Sequence, residues 1–307
     1  MSVLKCLETI RSEFLDNIVL IVTNLGDEAC FLIAALVIFW CVNKKWGYRL
    51  FSVFFTGIVI NEALKLIVRM PRPFEIDPTL TPVKSALEGA SGYSFPSGHT
   101  ATATLTYGSI ALFIKKRWAF VISFVLIAIT AFTRLYLGVH TPADVIASFA
   151  VASIVVFFCF EFFTLADRKP TSDIWIVAWT LIVSVVAALF AAFSGAEKAG
   201  DTEMVKDAFK LMGTSLGLFV SYIIDEKYIH FQTKALIWQQ IVKSAVGAAI
   251  LLVLKSGLKY MFAVLMPESV IADSIRYFLL VVFAGCIYPL TFKFYKANKN
   301  KSERKHC

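Results

Sequence analysis

Two of the four histidines, His99 and His140, stand in short polar segments that interrupt long apolar runs, and each has reactive neighbours at informative spacing. His140 lies in Thr133-Arg-Leu-Tyr-Leu-Gly-Val-His-Thr-Pro-Ala-Asp144. Gly138 permits a bend there, and Thr141-Pro142 is a helix start. Asp144 is four residues beyond His140, close enough on one turn to accept a bond from one ring nitrogen. That bond would set the tautomer and make the other nitrogen a better nucleophile. His99 closes Phe95-Pro-Ser-Gly-His, immediately before a run of helix formers. Ser97 is placed to cap that helix, and Gly98 leaves its first N–H groups open to an anion. The third segment, Lys65-Leu-Ile-Val-Arg-Met-Pro-Arg-Pro73, sets Lys65 and Arg72 seven residues apart, with Pro71 and Pro73 ending the helix so that Arg72 folds back. Taken singly, each segment has an ordinary explanation: cations snorkelling at a membrane boundary, a structural histidine at a helix start, a capped turn. Together with Arg134 they supply three cations, an anion-binding helix terminus and two histidines, one with a carboxylate partner. That set suits phosphoryl transfer.

The elements that must position these residues are apolar helices. Hydrophobic residues make up 58% of the chain and charged residues 17%, against about half and a quarter in soluble domains. The expected fold is an all-α polytopic membrane helical bundle. A span needs about 20 apolar residues, which gives about nine transmembrane helices near 29–43, 49–68, 99–114, 118–135, 142–165, 173–193, 208–224, 236–256 and 275–295. Residues 1–28 read as an N-terminal amphipathic, interfacial segment, with Leu4, Leu7, Phe14, Ile18, Ile21 and Leu25 near one face. Residues 29–165 then carry the three polar segments, 166–292 form additional membrane helices, and 293–307 are a basic tail. No removable signal peptide is expected.

Sixteen of the thirty Lys and Arg residues fall in loops on one side of this arrangement, including Lys44, Lys45, Arg49, Lys115, Lys116 and the tail. Basic loops stay in the cytoplasm, so the tail is cytoplasmic and all three polar segments are extracytoplasmic. The basic residues are not gathered on an aromatic-interleaved polar module, which argues against nucleic acid as a partner. The six cysteines are scattered without metal-ligand spacing and read as small core residues. Gly213 and Gly217 form a small-xxx-small pair suited to tight helix packing, and Asn61 and Glu62 are candidates to support Lys65.

Lys65 to Pro73, Pro96-Ser-Gly-His99 and Arg134 to Asp144 resemble, in residues and spacing, the three signatures of the type 2 phosphatidic acid phosphatase superfamily. The resemblance covers about residues 49–165. That superfamily includes lipid phosphate, sphingosine-phosphate and isoprenyl-diphosphate phosphatases, glucose-6-phosphatase and vanadium haloperoxidases. It implies that His140 forms a phosphohistidine, that Asp144 orients it, and that His99 protonates the leaving alcohol and then activates water. It further implies that Lys65, Arg72, Ser97, Gly98 and Arg134 hold the phosphate, with no metal and no other cofactor. Thr133 departs from the usual Ser but keeps the hydroxyl. The nine-span outline resembles glucose-6-phosphatase and the sphingosine-phosphate phosphatases more than six-span members.

The expectation is therefore an integral membrane phosphatase acting on a phosphate monoester or diphosphate of a lipid or isoprenoid, among membrane lipids. A bacterial plasma membrane is the expected location, with the lumen as the site's compartment if the cell is eukaryotic. Two other readings stand beside it. One is a transporter or binding protein for anionic lipids, which would not require the His140 and Asp144 pair. The other is a phosphotransferase whose acceptor is not water.

Overall fold

In the computed structural model, which describes residues 2–87, 90, 92–168, 172–194, 202–267 and 269–295, the chain is an all-α membrane bundle with no strand among the described residues. Its helices are α1 (Ser2–Thr9), α2 (Glu13–Thr23), α3 (Glu28–Val37), α4 (Lys44–Val68), α5 (Pro73–Ile76), α6 (Gly98–Ile114), α7 (Arg117–Tyr136), α8 (Pro142–Ala166), α9 (Ser172–Phe193), α10 (Thr202–Ile224), α11 (Ile237–Leu265) and α12 (Val270–Val282). Among the described residues seven helical segments are long and apolar enough to cross a bilayer, against the nine expected. Two expected spans account for the difference. The first, 29–43, is the second limb of a pair, Glu13–Gly26 and Glu28–Val42, bent by 47° and able to form one broken span. The other, α6, has 17 residues, or about 25 Å of helix against a hydrocarbon core of about 30 Å.

Helix ends follow local chemistry. The side chain of Asn43 caps α4 by accepting from the Trp46 N–H at 3.2 Å. At its other end α4 stops at Arg69, whose left-handed backbone (φ 49°) returns its N–H to the Lys65 carbonyl. The helix thus ends two residues before Pro71, the residue expected to break it. Thr141 caps α8 with Pro142 in its first turn, as the sequence suggested.

Helix α4 is the central post, packing on α6, α8, α9 and α10. Leu50, Phe51, Val53, Phe54, Phe55 and Ile58 put its middle turns into the main core. The end of α4 remote from the polar segments is stapled by ion pairs from Lys44 to Asp225 (2.8 Å), from Arg49 to Asp167 (2.6 Å) and Asp173 (2.7 Å), and from Lys45 to Asp167 (2.8 Å). Arg49 is buried, so part of the basic loop charge counted from sequence is internal structure. Its guanidinium holds the Asp167 carboxyl well below the usual carboxylate range.

The N-terminal helices, read from the sequence as an interfacial segment, dock on α7 and on loop 77–84. The Arg11 guanidinium donates to the carbonyls of Tyr136 and Thr81, Lys5 pairs with Asp77 at 2.8 Å, and the Tyr136 hydroxyl donates to Asp16 at 2.9 Å. Phe14 and Ile21 on α2 are 73% and 71% exposed, whereas Thr23 is buried. The face read from the sequence is divided: Phe14, Ile18 and Ile21 point outward, whereas Leu4 is buried, and the inward side of α2 is mixed, with Val19 and Leu20 packed near Tyr136 and Leu137 beside the bonds of Asp16 and Thr23.

Beyond α8, the close pair α10 and α12 meets at Gly213, where an added Cβ would lie 2.0 Å from the Ser274 carbonyl oxygen, and at Gly217 against Phe278 and Val281. Both glycines act in packing, as their spacing suggested. His230 is exposed, and the five described cysteines are free. Most of the expected basic tail, 296–307, lies outside the described residues.

Candidate functional site

The three polar segments come together at one end of the bundle, where α4 ends, α6 begins and the turn from α7 to α8 crosses between them. Arg72, at the start of α5, reaches back as expected. Its Nη1 donates to the Val139 carbonyl at 3.1 Å, its Nε to the Gly92 carbonyl at 3.1 Å, and its backbone N–H to Glu75 at 2.7 Å. The guanidinium therefore braces the turn that carries His140. His140 Nε2 lies 3.5 Å from Arg72 Nη1. A guanidinium only donates, so Nε2 presents its lone pair on that side.

The other ring nitrogen, Nδ1, faces Asp144 Oδ2 at 3.7 Å. This is ion-pair rather than hydrogen-bond distance, a looser contact than the four-residue spacing suggested. The reason is that Asp144 Oδ2 already accepts from the Ser94 hydroxyl (2.6 Å) and the Thr141 N–H (2.7 Å). His140 Nδ1 and Asp144 Oδ1 are buried without a hydrogen-bond partner. Burial lowers the His140 imidazole to about 4; Asp144 opposes that shift, and the Arg134 and Arg72 cations add to it. The ring is accordingly neutral near pH 7, the form with a free nucleophilic lone pair.

Ser97 occupies the cap position of α6, but its side chain does not cap the helix. Its hydroxyl instead accepts from Thr100 Oγ1 at 3.1 Å, its carbonyl accepts from Ser148 Oγ at 2.6 Å, and its N–H donates to the Asp144 carbonyl at 3.3 Å. These bonds tie the start of α6 to the start of α8. Gly98 leaves room beside it: the Lys65 ammonium stands 3.6 Å from where a Cβ would project. Lys65 is held by Glu62 at 2.8 Å, the support anticipated for one of its two polar neighbours. Asn61 is buried with its amide nitrogen unpartnered. His99 lies within electrostatic reach of Arg134, His140, Lys65 and Arg72. Arg134, on the last turn of α7, is buried, and its Nη1 donates to Thr23 Oγ1 at 3.0 Å.

All eight candidate residues therefore converge. Two further contributors escaped the sequence reading. Ser94 sits just outside the Pro-Ser-Gly-His segment and looks like any loop serine. Thr23 lies 111 residues from Arg134 in a helix assigned to the interface. No spacing rule links either to its partner.

Comparison with known proteins gives two matches to family models: "PAP2 superfamily" over residues 45–168, and "PAP2 superfamily phosphatase, transmembrane extension" over residues 209–300. The first contains all eight candidate residues; Thr23 lies outside it. Among curated proteins, the Bacillus subtilis undecaprenyl-diphosphatase BcrC is 30% identical over 57% of this chain and 87% of its own length. Phosphatidylglycerophosphatase B of the same organism is 30% identical over 48% of this chain and 75% of its own length. A probable sphingosine-1-phosphate phosphatase of Dictyostelium discoideum is 28% identical over 70% of this chain, although the match spans only 55% of that longer protein.

Proposed function

The chain belongs to the PAP2 superfamily and is a membrane phosphatase, and on that premise we propose that it hydrolyses the phosphate monoester or diphosphate of a lipid or isoprenoid through a phosphohistidine at His140. The observation that carries this reading is the placement of His140 between Arg72 at Nε2 and Asp144 at Nδ1. A neutral imidazole with its Nδ1 proton aimed at a carboxylate and its Nε2 lone pair among cations is arranged to attack an anionic phosphorus.

In the proposed first step, Nε2 of His140 attacks phosphorus in line with the scissile P–O bond. A P–N bond forms as the P–O bond breaks, and His99 gives a proton to the departing alkoxide or phosphate oxygen. Asp144 stabilises the imidazolium that develops. Lys65, Arg72 and Arg134, with the Ser97 hydroxyl and the N–H groups opening α6 at Gly98, neutralise the phosphoryl oxygens. In the second step water attacks the phosphohistidine, His99 takes the water's proton, and the P–N bond breaks to release inorganic phosphate and neutral His140. Three fixed cations supply the charge stabilisation, so the scheme has no metal in it.

Relatives named for undecaprenyl diphosphate, phosphatidylglycerophosphate and sphingosine 1-phosphate all present a phosphate carried on a membrane-borne chain. We take the same substrate class for this chain. Lateral diffusion would deliver such a molecule to a site at the bundle end without exposing its hydrocarbon to water. By the excess of basic loops at the opposite end, the site is extracytoplasmic and the C-terminus cytoplasmic.

The test is phosphate release from lipid, isoprenoid and sugar phosphates by purified protein, with His140→Ala as the blank and a chelator arm. Turnover of a lipid or isoprenoid phosphate that His140→Ala abolishes and chelation leaves unchanged supports the reading. Turnover that survives His140→Ala, or needs added magnesium, overturns the mechanism. Binding of lipid phosphates without any turnover would favour a carrier.

A further inference from the structure

Arg134 is 2% exposed, and among the described residues no carboxylate pairs with its guanidinium. Its Nε has no hydrogen-bond partner, and the bond from Nη1 to Thr23 Oγ1 at 3.0 Å is the one side-chain hydrogen bond that the described residues offer it. A buried cation without a counter-charge is costly, which suits a site completed by an anionic ligand. It also leaves the direction of the guanidinium to whatever neutral group holds it.

That group belongs to a short polar chain. The Thr23 and Thr133 hydroxyls are 3.0 Å apart, and Thr133 Oγ1 lies 2.6 Å from the Thr130 carbonyl oxygen. The Thr133 hydroxyl donates on both sides, to that carbonyl and to Thr23, so the Thr23 oxygen accepts from Thr133 and from Arg134. Arg134, Thr23, Thr133 and the Thr130 carbonyl are thereby joined in one connected run of bonds.

Thr23 is held at this place by its surroundings. At Gly26, three residues on, an added Cβ would lie 2.8 Å from the His99 carbonyl oxygen and 2.4 Å from Thr130 Cγ2, so the bend after α2 is packed directly on the first turn of α6. Arg11 and Asp16 fix the preceding helices to the end of α7 through the Tyr136 carbonyl and hydroxyl.

We propose that Thr23 is a positioning residue for Arg134, so that the N-terminal helices, outside the segment matching the PAP2 superfamily model, are part of the phosphate site. The inference rests on the reading of Arg134 as a phosphate-binding residue. It gives α1 and α2 a role that an interfacial anchor would not have: without the Thr23 hydroxyl, Arg134 keeps its charge but loses its aim.

Thr23→Val keeps the side-chain shape and removes the hydroxyl. It is expected to lower kcat/KM for the phosphate substrate about tenfold and to weaken inhibition by orthovanadate in parallel. Thr23→Ser is expected to recover most of that loss, and Thr23→Val added to Arg134→Lys is expected to cost much less than it does alone. Thr23→Ala, which removes the hydroxyl without requiring a fitted methyl group, serves where the valine variant does not fold. Wild-type kinetics in Thr23→Val or Thr23→Ala, alongside an inactive Arg134→Ala, would overturn the positioning role alone. So would a Thr23→Ser variant as impaired as Thr23→Val, or strictly additive losses with Arg134→Lys. Full activity in Arg134→Ala would instead remove the phosphate-site reading beneath it.

Discussion

Ser94 and Asp144, fifty residues apart in sequence, meet through a 2.6 Å hydrogen bond in which the serine hydroxyl donates to Oδ2. With the Thr141 N–H on the same oxygen, it locks the carboxylate before His140 approaches. The proposed orienting group is itself oriented.

Replacing Ser94 by Ala frees Asp144 to rotate and removes a charge-assisted hydrogen bond worth about 1.5–3 kcal/mol. The expected result is a kcat lower by about ten- to a hundredfold, with KM changed much less. Steady-state kinetics on folded Ser94→Ala checks it, and an unchanged kcat would count against the orienting role of Asp144.

The acid limb of kcat/KM should lie near pH 4, where burial sets His140, and not near its ordinary 6.5. Asp144→Asn removes the carboxylate that opposes the lowering, so the limb should move lower still. Stability follows the same shift. The unfolded chain binds the proton more tightly than the folded one, so the His140 contribution is complete above about 6.5. It is lost progressively as pH falls from there to about 4. Melting curves between these values should show a shallower pH dependence for His140→Gln than for wild type.

Arg72→Lys keeps the charge but cannot bridge the Gly92 and Val139 carbonyls that the guanidinium joins. Activity should fall about a hundredfold or more in kcat/KM, and extra salt or substrate should not restore kcat. A lysine variant close to wild type would show that Arg72 contributes charge alone.

Gly213→Val should destabilise without touching the site, because its Cβ would start 2.0 Å from the Ser274 carbonyl oxygen and drive α10 from α12. A loss of about 1–3 kcal/mol should appear as a lower thermal midpoint in detergent, with turnover per folded molecule largely kept.

Much of the site was legible because its chemistry is local. The cap at Thr141-Pro142 and the four-residue step from His140 to Asp144 are short-range features, and hydropathy alone separates the polar segments from the spans. What the pattern misjudged was partnership. It had Asp144 engaged mainly with His140, whereas the bonding distances go to Ser94 and Thr141. It had Ser97 capping α6, whereas that hydroxyl takes a bond from Thr100. The span count of nine differs from the seven long apolar helices, or eight with the bent pair, at the bend between α2 and α3 and at the short α6.

The sequence by itself determined that this is an all-α membrane protein and which residue types stand ready for phosphate at one end of it. Only the tertiary structure decided how those residues are held: Ser94 on Asp144, Arg72 on the Gly92 and Val139 carbonyls, and Thr23 on Arg134. The physical reason is that in a bilayer the outside is as apolar as the core, so periodicity marks a helical face without saying which way it turns. The rotation of each helix is settled by polar bonds between segments far apart in the chain, and those form only when the bundle does.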